Sequence, residues 1–186
     1  MKIAFMDLEA TGLTADGWDQ MLCACIAEYK PTGKQPWGKI QTFTLKDYKN
    51  KRWCDKELAR NLEKALDKFD IVVSWNGVRF DEPFQRTRLA EYGLYMRPYK
   101  RHKDLMYTAN FKLRMSSASL DRVSDFLGVY GKYNCKKTKL DRIQWRKAIC
   151  GHEASYRYIV RHCQEDVKVL AAVWEELRPL ISKIGE

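Results

Sequence analysis

No apolar stretch in this sequence is long enough to cross a bilayer. The longest uninterrupted run, Met21 to Ala27, falls far short of the roughly 20 residues a spanning helix needs. Six cysteines are present, but no two form a CxxC pair, so the commonest zinc and dithiol signatures are missing. The spacing of Cys135, Cys150, His152 and Cys163 matches no zinc-ligand rule either. The thiols therefore read as reduced packing residues, with Cys23 and Cys25 sharing one face of a strand. Lys2 and the apolar residues after it begin like a leader, but Asp7 and Glu9 interrupt them before a signal-peptide core can form. There is no internal repeat, low-complexity tract or long linker. These absences point to an untargeted intracellular, cytoplasmic protein with no membrane segment. Its 186 residues suit a single domain, residues 1–186, large enough to bury a core.

Charge of one sign is in excess. Lys and Arg number 34 against 24 Asp and Glu, a net charge of +10, which speaks of partners and not of fold. A basic chain that gathers acids locally suggests a polyanion held near a metal, and nucleic acid is the commonest such polyanion. The local acids open the chain. Asp7 and Glu9 close an apolar run, and in a strand residues i and i+2 point to one face. Two carboxylates side by side repel unless a cation lies between them, and hard Mg²⁺ or Mn²⁺ prefers such ligands.

Alternation predicts strands at 2–8, 21–30 and 38–45, with the second ended by a Pro31–Gly33 turn, forming an antiparallel meander. The period then becomes helical through Leu58, Leu62, Ala65, Leu66 and Phe69, giving a helix over 55–68 capped by Asp55. Strands at 70–75 and 102–106 flank a helix starting near Asp81, where Pro83 suits the first turn, and imply parallel pairing by right-handed crossovers. Ser119 and Gly128 bracket a short helix. Val160, Cys163, Val167, Leu170, Trp174, Leu177 and Ile181 mark one buried stripe of a last helix, which Pro179 ends or kinks. The expected fold is α/β: a mixed five-stranded sheet, three antiparallel and two parallel strands, flanked by helices, with a helical C-terminal third.

Asn76-Gly77 follows a strand end, where parallel sheets place their ligands. Asp81 lies at a helix start, where it also reads as a cap worth roughly 1 kcal/mol. Asp166 sits beside the buried stripe of the last helix, with Glu165 rotated towards solvent. His162, four residues earlier, shares Asp166's face and suits a base; taken alone, it reads as a partly exposed residue bonding a neighbour.

Together these segments resemble the DEDD (DnaQ-like) superfamily of 3′–5′ exonucleases, which have a ribonuclease H-like fold. Asp7-Leu-Glu9-Ala-Thr-Gly-Leu13 resembles the first motif, Asn76-Gly-Val-Arg-Phe-Asp81 the second and His162-Cys-Gln-Glu-Asp166-Val the third. Ser119–Gly128 resembles the helix often found before the third motif. The family carries Tyr four residues, or His five residues, before the last Asp; this chain has His162 at four and Arg161 at five. The resemblance implies a metal-dependent 3′–5′ exonuclease acting on single-stranded DNA or RNA 3′ ends, with two divalent cations, Mg²⁺ or Mn²⁺. It implies that Asp7 bridges the ions, that Glu9 and Asp166 complete the water-activating site, and that Asp81 anchors the second ion. His162 is the preferred water-orienting group, with Tyr158 or no side-chain base as the alternatives. Thr11 and Leu13 would form the pocket for the terminal nucleotide, and Asn76 would contact the same unit.

Substrate grip is sought between Lys132 and Lys147, where Lys132, Lys136, Lys137, Lys139, Arg142, Arg146 and Lys147 face the single acid Asp141, with Tyr133 and Trp145 interleaved for stacking. Lys100–Lys103 is a second cluster, and Trp18 and Trp37 read as loop packing residues. An endonuclease of the same fold and a non-catalytic nucleic-acid-binding module stand as alternatives.

Overall fold

The central strand is built first by its neighbours. Ile3–Ala10 (β1) pairs antiparallel with Met21–Tyr29 (β2) on one side and parallel with Ile71–Ser74 (β4) on the other. Trp37–Thr44 (β3) and His102–Asp104 (β5) form the edges, giving the order β3-β2-β1-β4-β5. This computed structural model describes residues 1–31, 35–45 and 53–181. Among these are five strands and seven helices, the mixed sheet and helical C-terminal part that the periodicities predict. Thr32 and Gly33 of the expected turn lie outside the described residues. β1 runs two residues past its expected end, to Ala10, where a bulge shifts the register after Glu9.

Lys56–Leu66 (α1) buries Leu58, Leu62, Ala65 and Leu66, the stripe its period calls for. It packs on β2 and β3 and on Asp81–Glu91 (α2), whose Gln85 amide donates to the Ala59 carbonyl at 3.0 Å. Leu105–Lys112 (α3) begins immediately after β5, which is therefore shorter than expected. Leu120–Phe126 (α4) is capped by Ser119, which accepts from the Arg122 amide, and is stopped by Gly128 at φ 65°. Val129–Lys132 (α5) and Arg142–Ile149 (α6) precede Glu153–Leu177 (α7).

α7 crosses β1, β2 and β3, with Trp174 edge-on to Phe5 and Tyr29. It is buried more widely than one stripe: Ile159, Val169 and Ala171–Val173 are inside as well, because α5 and α6 pack on it away from the sheet. The helix stops at Leu177, and a 3₁₀ turn holds Pro179. No helix among the described residues is long and apolar enough to cross a membrane. Trp37 lies in β3 against the core, not in a loop, and Trp18 is 96% exposed, not a packing residue.

Asp55 does not cap α1 with its side chain. The carboxylate is fully buried and takes two hydrogen bonds from the Arg88 Nε and Nη2 atoms at 2.9 and 3.0 Å, one from the Tyr92 hydroxyl at 2.7 Å and one from the Met21 amide at 2.8 Å. Arg88 also donates to the Ala15 carbonyl at 3.3 Å, so this network ties α1 and α2 to the loop after β1. Removing one partner strands a buried charge, which costs about 3–5 kcal/mol. Asp55→Ala is therefore expected to lower unfolding free energy by about that amount in urea titration.

Candidate active site

β1 delivers Asp7 and Glu9 side by side on the face where Cys25 and Cys23 stand opposite them. α7 covers that face: the Cys163 thiol lies 3.4 Å from the Asp7 carbonyl, which sets Asp166, one turn-face away, beside the same strand end. Asp81, the first residue of α2, reaches back so that its Oδ1 accepts the Leu8 amide at 3.0 Å. It is 4% exposed and is the first helical residue, with Phe80 in the cap position. His162 Nε2 sits 3.6 Å from Glu9 Oε1 and 3.7 Å from Asp166 Oδ2. Tyr158 is turned away, its hydroxyl donating to the Lys139 carbonyl.

The acids feel one another. Burial pushes the Asp7 carboxyl well above its ordinary range, and the charges of Asp166 and Asp81 push it further. Glu9 is raised by burial, then by Asp7, with Asp166 adding to it. Burial raises Asp81 to about 7, against the pull of the Leu8 amide. Burial lowers His162, keeping the imidazole neutral and able to accept a proton. Lys137 opposes the rise at Asp7 and Glu9, with its ammonium bonded to Asp166 Oδ2.

Two oxygens at this place, Asp7 Oδ2 and Asp166 Oδ1, are buried with no hydrogen-bond partner. Orphaned, desolvated carboxylate oxygens are the chemistry a hard divalent cation satisfies, so the residues fit one. Among the described residues, no three His, Cys, Asp or Glu side chains converge as ligands on a single point. The set Cys135, Cys150, His152 and Cys163 is scattered: Cys135 faces the Val129 carbonyl, Cys150 is exposed and His152 bonds Ser155.

The turn that carries Asn76 is held by a residue the sequence reading passed over. Asp104 accepts the amides of Asn76 at 2.9 Å, Val78 at 3.1 Å and Met106 at 3.0 Å, fixing Asn76 at φ 63°. Gly77 is required there, since a Cβ would lie 2.3 Å from the Ser74 hydroxyl and 3.0 Å from Asp81 Oδ2. Asp19, likewise overlooked, accepts the Thr11 hydroxyl at 3.0 Å, and a Cβ on Gly12 would lie 2.1 Å from its Oδ2. Asp19 binds a hydroxyl 8 residues away and Asp104 holds amides 26 and 28 residues away, and no periodicity reveals either.

Beside the acids opens a cavity of about 470 Å³. Glu9, Thr11 and Leu13 form one wall; Phe80, Trp145, Arg142 and Arg146 contribute to the rest. The basic segment thus divides. Arg142 and Arg146 face the cavity, but Lys132 pairs with Glu176 and Tyr133 is buried with its hydroxyl on the same carboxylate. Trp145 stands edge-on to His162 at 5.4 Å between centroids. Glu165 is not solvated but buried, accepting the Thr138 hydroxyl. His162 is buried as well, at 4% exposure. In the second cluster, Lys100 donates to the Asp67 carbonyl and His102 pairs with Glu82.

The chain belongs to the RNase_H superfamily, whose family model matches residues 4–178. A similar solved structure is the family B DNA polymerase from the hyperthermophilic archaeon Pyrobaculum calidifontis: TM-score 0.68, 16% identity, covering 96% of this chain and 24% of the polymerase. That likeness is one of fold, and this chain spans about a quarter of the polymerase. A search of curated proteins finds no match. Membership of this superfamily supports a nuclease-type function and nucleic-acid binding, and nucleases of this kind generally use divalent metal ions.

The raised acids make stability depend on pH. Between the ordinary carboxyl value of 3.8 and the folded value near 7, Asp81 holds its proton in the native chain and has lost it in the unfolded one. The folded state is therefore favoured on the acid side and loses stability as pH rises through that window. In EDTA, melting temperature followed by circular dichroism is expected to fall from about pH 5 to about pH 8, and millimolar Mg²⁺ is expected to offset the fall.

Proposed function

We propose that the protein is a metal-dependent 3′–5′ exonuclease of the DEDD type, hydrolysing phosphodiester bonds at single-stranded nucleic-acid 3′ ends. The observation that supports this reading is that buried acids from three separate elements lie within electrostatic reach: Asp166 and Asp81 act on Asp7, and Asp7 and Asp166 act on Glu9, beside a cavity that Arg142 and Arg146 help to line. In this reading these four side chains hold two divalent cations, Mg²⁺ or Mn²⁺. When bound, such ions acidify water and stabilise charge on the attacking and leaving oxygens.

The protein's own groups do the rest. His162 Nε2, neutral through burial and facing Glu9 and Asp166, takes the proton from the attacking water. The loop from Thr11 to Leu13 seats the terminal nucleotide, with Leu13, 84% exposed, and Phe80 offering apolar surface to its base. Asn76 reaches the same nucleotide from its rigid turn. Arg142 and Arg146 hold the backbone phosphates that follow.

The test is digestion of 5′-labelled single-stranded DNA and RNA with Mg²⁺, Mn²⁺ or EDTA. A ladder shortening from the 3′ end only with metal is expected; cleavage of a circular strand, or no shortening in any metal, overturns the reading. Asp7→Ala is expected to lose about 10³-fold or more in kcat while still binding the strand. Arg146→Ala is expected to raise KM about tenfold with little change in kcat, and to reduce the slope of log affinity against log salt by about one.

A further inference from the structure

A lysine among seven basic residues in a 16-residue stretch ordinarily extends into water. Lys137 does not. Its side chain is only 18% exposed, and its ammonium is bonded to Asp166 Oδ2. The neighbours explain the geometry: the Thr138 hydroxyl donates to Glu165, and the Lys139 carbonyl accepts the Tyr158 hydroxyl. Three successive residues are thereby stitched to α7, and the first of them delivers a positive charge into the acids. Lys136, at 84% exposure, remains outside, 3.9 Å from Glu165.

The ammonium meets the acids where their negative potential accumulates, and it acts on Asp7 and Glu9 as well as on its direct partner. Meanwhile Asp7 Oδ2 and the second oxygen of Asp166 stay unpartnered. One monovalent cation thus covers a single oxygen of a cluster with charge for more. A divalent cation seated on Asp166 competes with the ammonium for that carboxylate, and two positive centres within a few ångströms repel in a low-dielectric site.

We infer that Lys137 is the internal counter-ion of the metal-free protein, a latch on Asp166 that divalent metal must displace. This rests on the reading of the acids as a metal site, and it adds regulation to that site. The latch stabilises the metal-free fold and weakens metal binding, so that full loading is favoured when a substrate phosphate is present to receive the released lysine.

Metal affinity measured without nucleic acid decides the matter. Mn²⁺ binding, followed by the electron paramagnetic resonance of the free ion, is compared in wild type and Lys137→Met. The variant is expected to bind Mn²⁺ about tenfold or more tightly and to melt at lower temperature in EDTA. Equal or weaker binding by a folded variant overturns the latch while leaving the metal site standing; no Mn²⁺ binding by either protein overturns both. If Lys137→Met does not fold, the wild type itself serves. With ¹⁵N-lysine labelling, and the Lys137 signal identified by its loss in Lys137→Arg, Mg²⁺ is expected to move the Lys137 Nζ resonance to the solvated position of the other lysines. An unmoved resonance at saturating Mg²⁺ overturns the proposal.

Discussion

Like charges crowded into a region with little water are the constraint on which the rest of this structure turns. Asp7, Glu9 and Asp81 are each held at higher proton affinity than a free carboxyl, first by burial and then by one another or by further acids. Left to themselves, side chains in that position rotate apart or draw in water. The scaffold denies them this. β1 is hydrogen-bonded on both sides, Asp81 is tethered to the Leu8 amide, and the preceding turn is clamped by Asp104 through two amides. Gly77 lets that turn press against Ser74 and Asp81.

A second buried acid in the same molecule shows what a purely structural one looks like. Asp55 is as deeply buried as any site acid, yet its two oxygens are covered by Arg88, Tyr92 and the Met21 amide. Every demand is met, and the result is an ion pair that fixes the loop between β1 and β2. The cluster at β1's end leaves Asp7 Oδ2 and Asp166 Oδ1 uncovered. Identical side-chain chemistry, with opposite satisfaction, separates a cross-link from a site prepared for something else.

The fold was legible because its signals are long and periodic. β1, β2, α1, α4 and α7 carry apolar spacings that survive in the structure, and the ordered motifs place acids on β1, at the start of α2 and on α7. What escaped was local or relational. Asp19 acts on a hydroxyl 8 residues away and Asp104 on an amide 28 residues away, and nothing in their spacing marks them. Asp55 looked like a helix cap because caps are read from position, whereas its partner Arg88 lies 33 residues on. Lys137 read as one of the substrate-contacting basic residues, and Glu165 as solvated from its rotation on the helix. Their actual contacts depend on how the 137–139 segment lies over α7, a tertiary fact that no window of sequence contains.

α6 joins the acids to the cavity, and its composition is costly unless an anion is involved. Asp141 caps it through the Ile143 amide at 2.9 Å, fixing its rotation. That rotation puts Arg142 and Arg146, four residues apart, towards one cavity. Two like charges at this spacing destabilise a helix by about 0.2–0.5 kcal/mol. Elsewhere the chain neutralises such charges: Arg157 pairs with Glu153 and Arg86 with Glu82, each at the same four-residue spacing. At α6 the same spacing is used for repulsion, next to a wall of exposed apolar surface. Trp145, between the two arginines, is turned against the His162 ring, so the helix that presents positive charge to the cavity also braces the imidazole. In the proposed reading, a phosphate backbone is the ligand that converts this local cost into binding, in the same cavity that Glu9 lines.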